Sequence, residues 1–122
     1  SGGGFPGLAL AAVLPDVPVT LVESERRKAA WLVRASAGFP NVRVVADRSE
    51  TLARAERDAH HVVTARALGP LPVVLELAAP LLAWRGRLVA WRGRRDAGAV
   101  GSRLAPGGGR RRGRRARDVL RG

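Results

Sequence analysis

The chain has 122 residues, 46% of them apolar, enough for the core of about one small domain. It has no Cys, which excludes disulfides and thiolate metal sites, and no apolar run approaches the roughly 20 residues that a membrane-spanning helix needs. The net charge of +12 raises nucleic acid as a partner, but residues 1–84 carry 9 basic and 8 acidic side chains while residues 85–122 carry 13 Arg against Asp96 and Asp118, so the body is near neutral and the charge sits at the C-terminal end.

Read in chain order, Gly2 to Gly7 form a glycine-rich turn with Pro6 poised to open a helix. Leu8 to Leu14 are expected to form a short apolar helix stopped by Pro15-Asp16. Val17 to Val22 read as a buried strand. An amphipathic helix is expected over Glu25 to Ala37, capped by Ser24, with Ala29, Leu32, Val33 and Ser36 on its inner face and Gly38 as its stop. Asn41 to Val45 form a second strand, Ser49 to Arg57 a short helix, and His61 to Ala65 a third strand. His60 and His61 are neighbours whose side chains point to opposite faces, so a shared metal site is not expected. Leu71 to Leu82 form an apolar helix opened by Pro70 and Pro72. A turn at Arg85-Gly86 leads into a fourth strand, Arg87 to Trp91. Trp31 and Trp84 are expected to pack on the sheet, and packing is also favoured over base stacking for Trp91.

Short apolar strands alternating with helices predict βαβ units and a parallel sheet, an α/β fold. After Gly93 the pattern stops. Residues 94–122 are dominated by Arg, Gly and Ala and are expected to be disordered, either as a genuine basic tail or as out-of-frame translation of a GC-rich gene, since the chain has one Lys against 21 Arg. With no Met at position 1 and nothing ahead of the glycine turn, the chain is expected to be a fragment whose N-terminus lies upstream.

Two features point to a ligand. Gly2, Gly4 and Gly7 fit the G-x-G-x-x-G spacing, in which the backbone approaches a ligand and a following helix offers its first N–H groups. Glu23 follows the strand 17–22, where a carboxylate can accept hydrogen bonds from both ribose hydroxyls or, alternatively, complement the dipole of the next helix. This spacing defines an adenosine-type ligand and no particular reaction. Arg66 lies just past a strand's carboxyl end, where a cation can hold a carboxylate or a phosphate or remain a solvated loop side chain.

The residues themselves resemble a family. Ser1-Gly-Gly-Gly-Phe-Pro-Gly-Leu8 is similar to the first motif of the 16S ribosomal RNA guanine-N(7) methyltransferases, also called glucose-inhibited division protein B. The segments 19–32, 41–45, 62–68 and 71–91 follow in the family's order, with Phe5-Pro6-Gly7 and Thr64-Ala65-Arg66-Ala67 the most distinctive pieces. The resemblance implies a Rossmann-like class I methyltransferase fold in residues 1–93, lacking the first strand and the C-terminal strands. It also implies S-adenosyl-L-methionine as cofactor and 16S ribosomal RNA, or the small ribosomal subunit, as partner of a monomeric, cytoplasmic enzyme that needs no metal. Carried over residue by residue, Gly2, Gly4 and Phe5 line the cofactor's amino-acid and ribose portions. Glu23, Ser24 and Glu25 meet the ribose and edge the adenine pocket, and Ser49 and Glu50 meet the adenine, with Asp47 a local competitor. Arg66 lies near the methyl donor. No catalytic base is nominated, because a guanine ring nitrogen with a free lone pair has no proton to remove.

In the family order a strand lies between 17–22 and 61–65, so a gap is expected there, and with it weak cofactor binding and no activity for the chain alone. A nicotinamide-dependent oxidoreductase fragment and a non-enzymatic RNA-binding protein working through the basic tail are the rival readings.

Overall fold

The computed structural model describes residues 3–91. The elements begin in the order α1 (Gly7–Val13), β1 (Val19–Val22), α2 (Arg26–Ala35), β2 (Val42–Val45), α3 (Ser49–Ala55), β3 (His60–Arg66) and α4 (Leu71–Ala78). A 3₁₀ turn, Ala79–Leu81, then leads into β4 (Leu82–Trp91). Ser1, Gly2, Arg92-Gly93 and the segment 94–122, expected to be disordered, lie outside the described residues.

The strands pair in parallel, β1 with β2 and β3 with β4, each pair joined by a helical crossover. This is the α/β, βαβ-based architecture expected from the sequence. β-branched residues dominate β1 and β2, where they fit a pleated, part-buried surface. Among the described residues no strand pairs β1 with β3, and the two pairs form separate sheets. The two strands that flank the expected gap, β1 and β3, therefore lie in different sheets.

Side-chain parity assigns the helices to faces. A Cβ at Gly7 would collide with Leu21 Cδ2, which places α1 against the Leu21 face of β1. Val22 and Val45 point the other way and pack on a cluster of Leu52, Ala53 and Leu81. Val63 of β3 packs on the same cluster and also on the one formed by Val74, Ala78 and Leu88, where α4 covers β3 and β4. One valine thus ties the two sheets into a common layer. Leu32 of α2 is fully buried, a burial that contributes roughly 2–3 kcal/mol relative to an exposed position.

Several boundaries move, each for a local reason. Pro18 has no N–H to give to a ladder, so β1 starts at Val19 rather than Val17. The helix expected over 71–82 ends at Ala78 and tightens into the 3₁₀ turn, where Pro80 donates no hydrogen bond. The expected turn at Arg85-Gly86 is an irregularity within β4, with Arg85 at φ 63° and a register shift between His60 and Val62. Val33, expected on the inner face of α2, is more than half exposed, whereas Ala29, Leu32 and Ser36 are buried. Trp84, expected on the sheet, is 87% exposed because it sits on that irregularity.

Candidate functional site

In each sheet the strands run parallel, so their carboxyl ends lie together, and in open α/β sheets ligands bind at such ends. The candidate residues of the sequence fall there. Glu23 to Glu25 follow β1, Ser49 and Glu50 open the helix that follows β2, and Arg66 closes β3.

Glu23 is held from two sides. Its N–H donates to the Val45 carbonyl at 3.0 Å, continuing the ladder past the end of β1. Its Oε1 accepts a 2.9 Å hydrogen bond from the Glu25 N–H. Helix α2 begins at Arg26 with Glu25 as N-cap, and no side chain of the N-cap residue satisfies the first turn. Ser24 is therefore not the cap expected of it. The Glu23 carboxylate reaches a main-chain donor at the corner instead, so part of the helix-start role weighed for this acid is real. Glu25 in turn bonds Lys28 at 2.7 Å, and this partner raises the Lys28 pKa, first through the hydrogen bond and then through its charge.

Ser49 and Glu50 bond to each other, Ser49 Oγ to Glu50 Oε2 at 3.3 Å, at the exposed start of α3. Asp47 turns back on its own chain, its Oδ1 accepting from the Arg48 N–H at 2.6 Å.

The glycine turn differs from its expectation. Gly4 is buried at φ 83°, and a Cβ there would collide with Leu8 Cδ1 and stand 3.4 Å from Leu32 Cδ2. The space that Gly4 leaves is filled by the protein's own leucines. The Leu8 N–H, expected to be offered to a ligand, donates to the Gly4 carbonyl at 2.7 Å. Gly3 is the open position: among the described residues, no atom beyond its own and its chain neighbours' lies within 4 Å of where its Cβ would be. Gly3 also borders a shallow depression with Arg27, Lys28 and Trp31 of α2. The turn and the helix that begins beside Glu23 therefore face one space. Gly2 lies outside the described residues.

At the other sheet the turn reaches across. The Phe5 ring meets Trp91 edge-on, with centroids 6.1 Å apart and planes at 71°. The Arg66 guanidinium stands 5.0 Å from the Phe5 centroid. Arg66 and Trp91 are Cα partners at the end of the β3–β4 ladder. The structure thus joins Phe5 to Arg66, as candidates of one site, and adds Trp91. The signal for Trp91 in the sequence was its place as the last residue of a strand, which packing was taken to explain. Among the described residues no group of three or more His, Cys, Asp or Glu could hold a metal ion, and no helix is long and apolar enough to cross a membrane.

Parallel βαβ units with a fixed carboxylate at one strand end and a glycine turn bordering the neighbouring helix define the Rossmann-like class of nucleotide- and cofactor-binding folds. Comparison with known proteins narrows this. The family model described as rRNA small subunit methyltransferase G matches residues 1–102, running past the boundary read at Gly93, and the chain belongs to that family. It is similar to the ribosomal RNA small subunit methyltransferase G of Chloroflexus aggregans, 48% identical over 93 residues that cover 73% of this chain and 39% of the relative. Those of Sorangium cellulosum and Acidiphilium cryptum are 46% and 50% identical over 67% and 68% of this chain, and 36% and 37% of their own lengths. The chain thus spans under two fifths of the length of these curated relatives.

Proposed function

We propose that this chain is part of an S-adenosyl-L-methionine-dependent methyltransferase that modifies a guanine of 16S ribosomal RNA at N(7), working in the cytoplasm where ribosomal subunits are assembled. In this reading residues 1–93 supply part of the catalytic domain. The observation that carries it is the collection of the family-matched groups at the carboxyl ends of parallel strands. The names of the relatives, ribosomal RNA small subunit methyltransferases, support the substrate class.

The residues present fit the cofactor. Gly3 leaves an open stretch of backbone beside α2, and the Glu23 carboxylate is fixed at the tip of β1. Glu23, with Ser24 and Glu25 at the same corner, binds the ribose. Ser49 and Glu50 at the start of α3 meet the adenine, while Gly2, Gly4 and Phe5 line the amino-acid and ribose portions of the cofactor. When bound, S-adenosylmethionine supplies an electrophilic methyl group. Arg66 is the cation for an anionic group at this end of the sheet, the methionine carboxylate or an RNA phosphate. A guanine N(7) has an available lone pair and no proton, so the protein's task is alignment of donor and acceptor with water excluded, and no general base is needed.

The test is binding by the intact protein, measured by calorimetry with S-adenosylmethionine and separately with nicotinamide dinucleotide. The expected result is binding of the first only, weakened about 10-fold or more in Glu23→Ala, where charged hydrogen bonds to the ribose are lost. Binding of the dinucleotide in preference would overturn the reading and favour an oxidoreductase.

A further inference from the structure

The strand parity of β3 and β4 leaves one face unaccounted for. Val63, Ala65, Leu88 and Ala90 point to α4, so Arg66 and Trp91 point to the opposite face. At its carboxyl end lie three groups in contact: the Arg66 guanidinium over Phe5, and Phe5 edge-on to Trp91. Neither residue is buried, Phe5 being 49% and Trp91 39% exposed. An edge-on pair covers at most one face of the Trp91 indole, and the neighbour that braces it is itself fixed by a cation. An exposed tryptophan beside an arginine at the carboxyl ends of parallel strands is the composition that binds single nucleobases: a planar ring to stack on and a positive group for the attached phosphate.

We infer that Trp91, braced by Phe5 and with Arg66 beside it, is the stacking wall for the purine ring of the RNA nucleotide that accepts the methyl group. The inference rests on the methyltransferase reading and adds a substrate-positioning residue to it. Nucleobase chemistry has two sources here, the adenine of the cofactor and the acceptor base. The acceptor is favoured by position: the cofactor's candidate adenine contacts follow β1 and β2, whereas Trp91 ends β4 in the other sheet. Alignment then has a physical basis, since a stacked purine has its ring plane set by the indole and only in-plane freedom remaining.

The experiment uses the intact protein and a small-subunit ribosomal RNA hairpin carrying 2-aminopurine in place of the acceptor guanine, whose fluorescence falls when it stacks on an aromatic ring. Quenching by the wild-type protein is expected without cofactor. Trp91→Leu is expected to abolish it and to raise the KM for RNA about 10-fold, with Trp91→Phe returning to within about 3-fold of wild type. The affinity for S-adenosylmethionine is expected to be the same in all three. Undiminished quenching in Trp91→Leu overturns the inference. So does a fall in cofactor affinity parallel to the loss of RNA binding, because the ring then supports the cofactor turn or binds its adenine. Failure of the wild-type protein to bind S-adenosylmethionine is a separate result that removes the methyltransferase reading, while the quenching still decides whether Trp91 stacks on a base.

Discussion

The side-chain amide of Asn41 donates a hydrogen bond to the main-chain carbonyl of Ala11, 3.2 Å away and 30 positions earlier in the chain. The same nitrogen reaches the carbonyls of Leu14 at 3.1 Å and Val17 at 3.0 Å. The reason lies in two prolines. In a continuing helix the Ala11 carbonyl would accept from residue 15 and the Leu14 carbonyl from residue 18, and both are Pro with no N–H to give. Leu14 recovers one bond from the Val17 N–H. Asn41, just before β2, satisfies the rest and so fixes the exit of α1 against the start of β1.

Asn41→Ala is therefore expected to cost about 1–2 kcal/mol of stability, chiefly the cost of leaving the part-buried Ala11 carbonyl without this donor. Asn41→Asp should cost more, because a carboxylate puts acceptors in place of the amide donor, facing three carbonyl oxygens. Urea unfolding of the two variants beside wild type checks this. Equal stability of the aspartate variant and wild type would contradict it.

A second polar connection links the two sheets. Arg43 Nη2 donates to Thr20 Oγ1 across the β1–β2 ladder at 3.0 Å and meets Glu56 Oε1 at 2.6 Å. The other oxygen of Glu56 lies 2.9 Å from Nε2 of His60, the first residue of β3. The Arg43 hydrogen bond, with its charge and the His60 contact, holds the Glu56 pKa below its ordinary value of 4.5, against the opposing effect of burial. Because the folded pKa is the lower one, this contribution is fully present above about pH 4.5, the unfolded value, and is lost as pH falls through the folded value. Glu56→Gln is expected to lower stability at neutral pH by about 1 kcal/mol and to flatten the decline on the acid side. Unfolding midpoints measured between about pH 7 and pH 3 for both proteins test the sign. A variant that loses stability on acidification as steeply as wild type would refute the assignment.

The sequence made the strands and crossovers legible because β-branched runs and helical periodicity are local signals. The ends were less legible. Pro18 and Pro80 shift boundaries by rules that local reading can apply, but the start of α2 depended on the Glu23 side chain finding the Glu25 N–H, a three-dimensional choice that made Ser24 only the nearer candidate. The candidate site divides in the same way. Glu23 and Arg66 could be named because they follow strands, and Gly2 and Gly4 by their glycine spacing, whereas Phe5, Ser24, Glu25, Ser49 and Glu50 come only through the family resemblance. What occupies the space beside them could not be read, so the packing of Leu8 and Leu32 under Gly4, the exposure of Trp84 and the Phe5–Trp91 contact emerged only with the fold.

Gly3 and Gly4 separate a folding role from a ligand role within one turn. Gly4 has a left-handed backbone, and its Cβ would collide with Leu8 Cδ1. Gly4→Ala is expected to cost about 1–2 kcal/mol for the conformation alone, with a further loss of about 1–3 kcal/mol if Leu8 must leave its rotamer. Among the described residues nothing crowds the Cβ position of Gly3, and it has no such restraint. Gly3→Ala should leave the unfolding midpoint within about 0.5 kcal/mol of wild type while weakening S-adenosylmethionine binding by the intact protein, because the added methyl occupies the space that the cofactor would use. Thermal unfolding and calorimetric titration of the same two variants distinguish these effects. Cofactor affinity unchanged in Gly3→Ala would mean that the turn is glycine-rich for the sake of its leucines and that the ligand is held elsewhere.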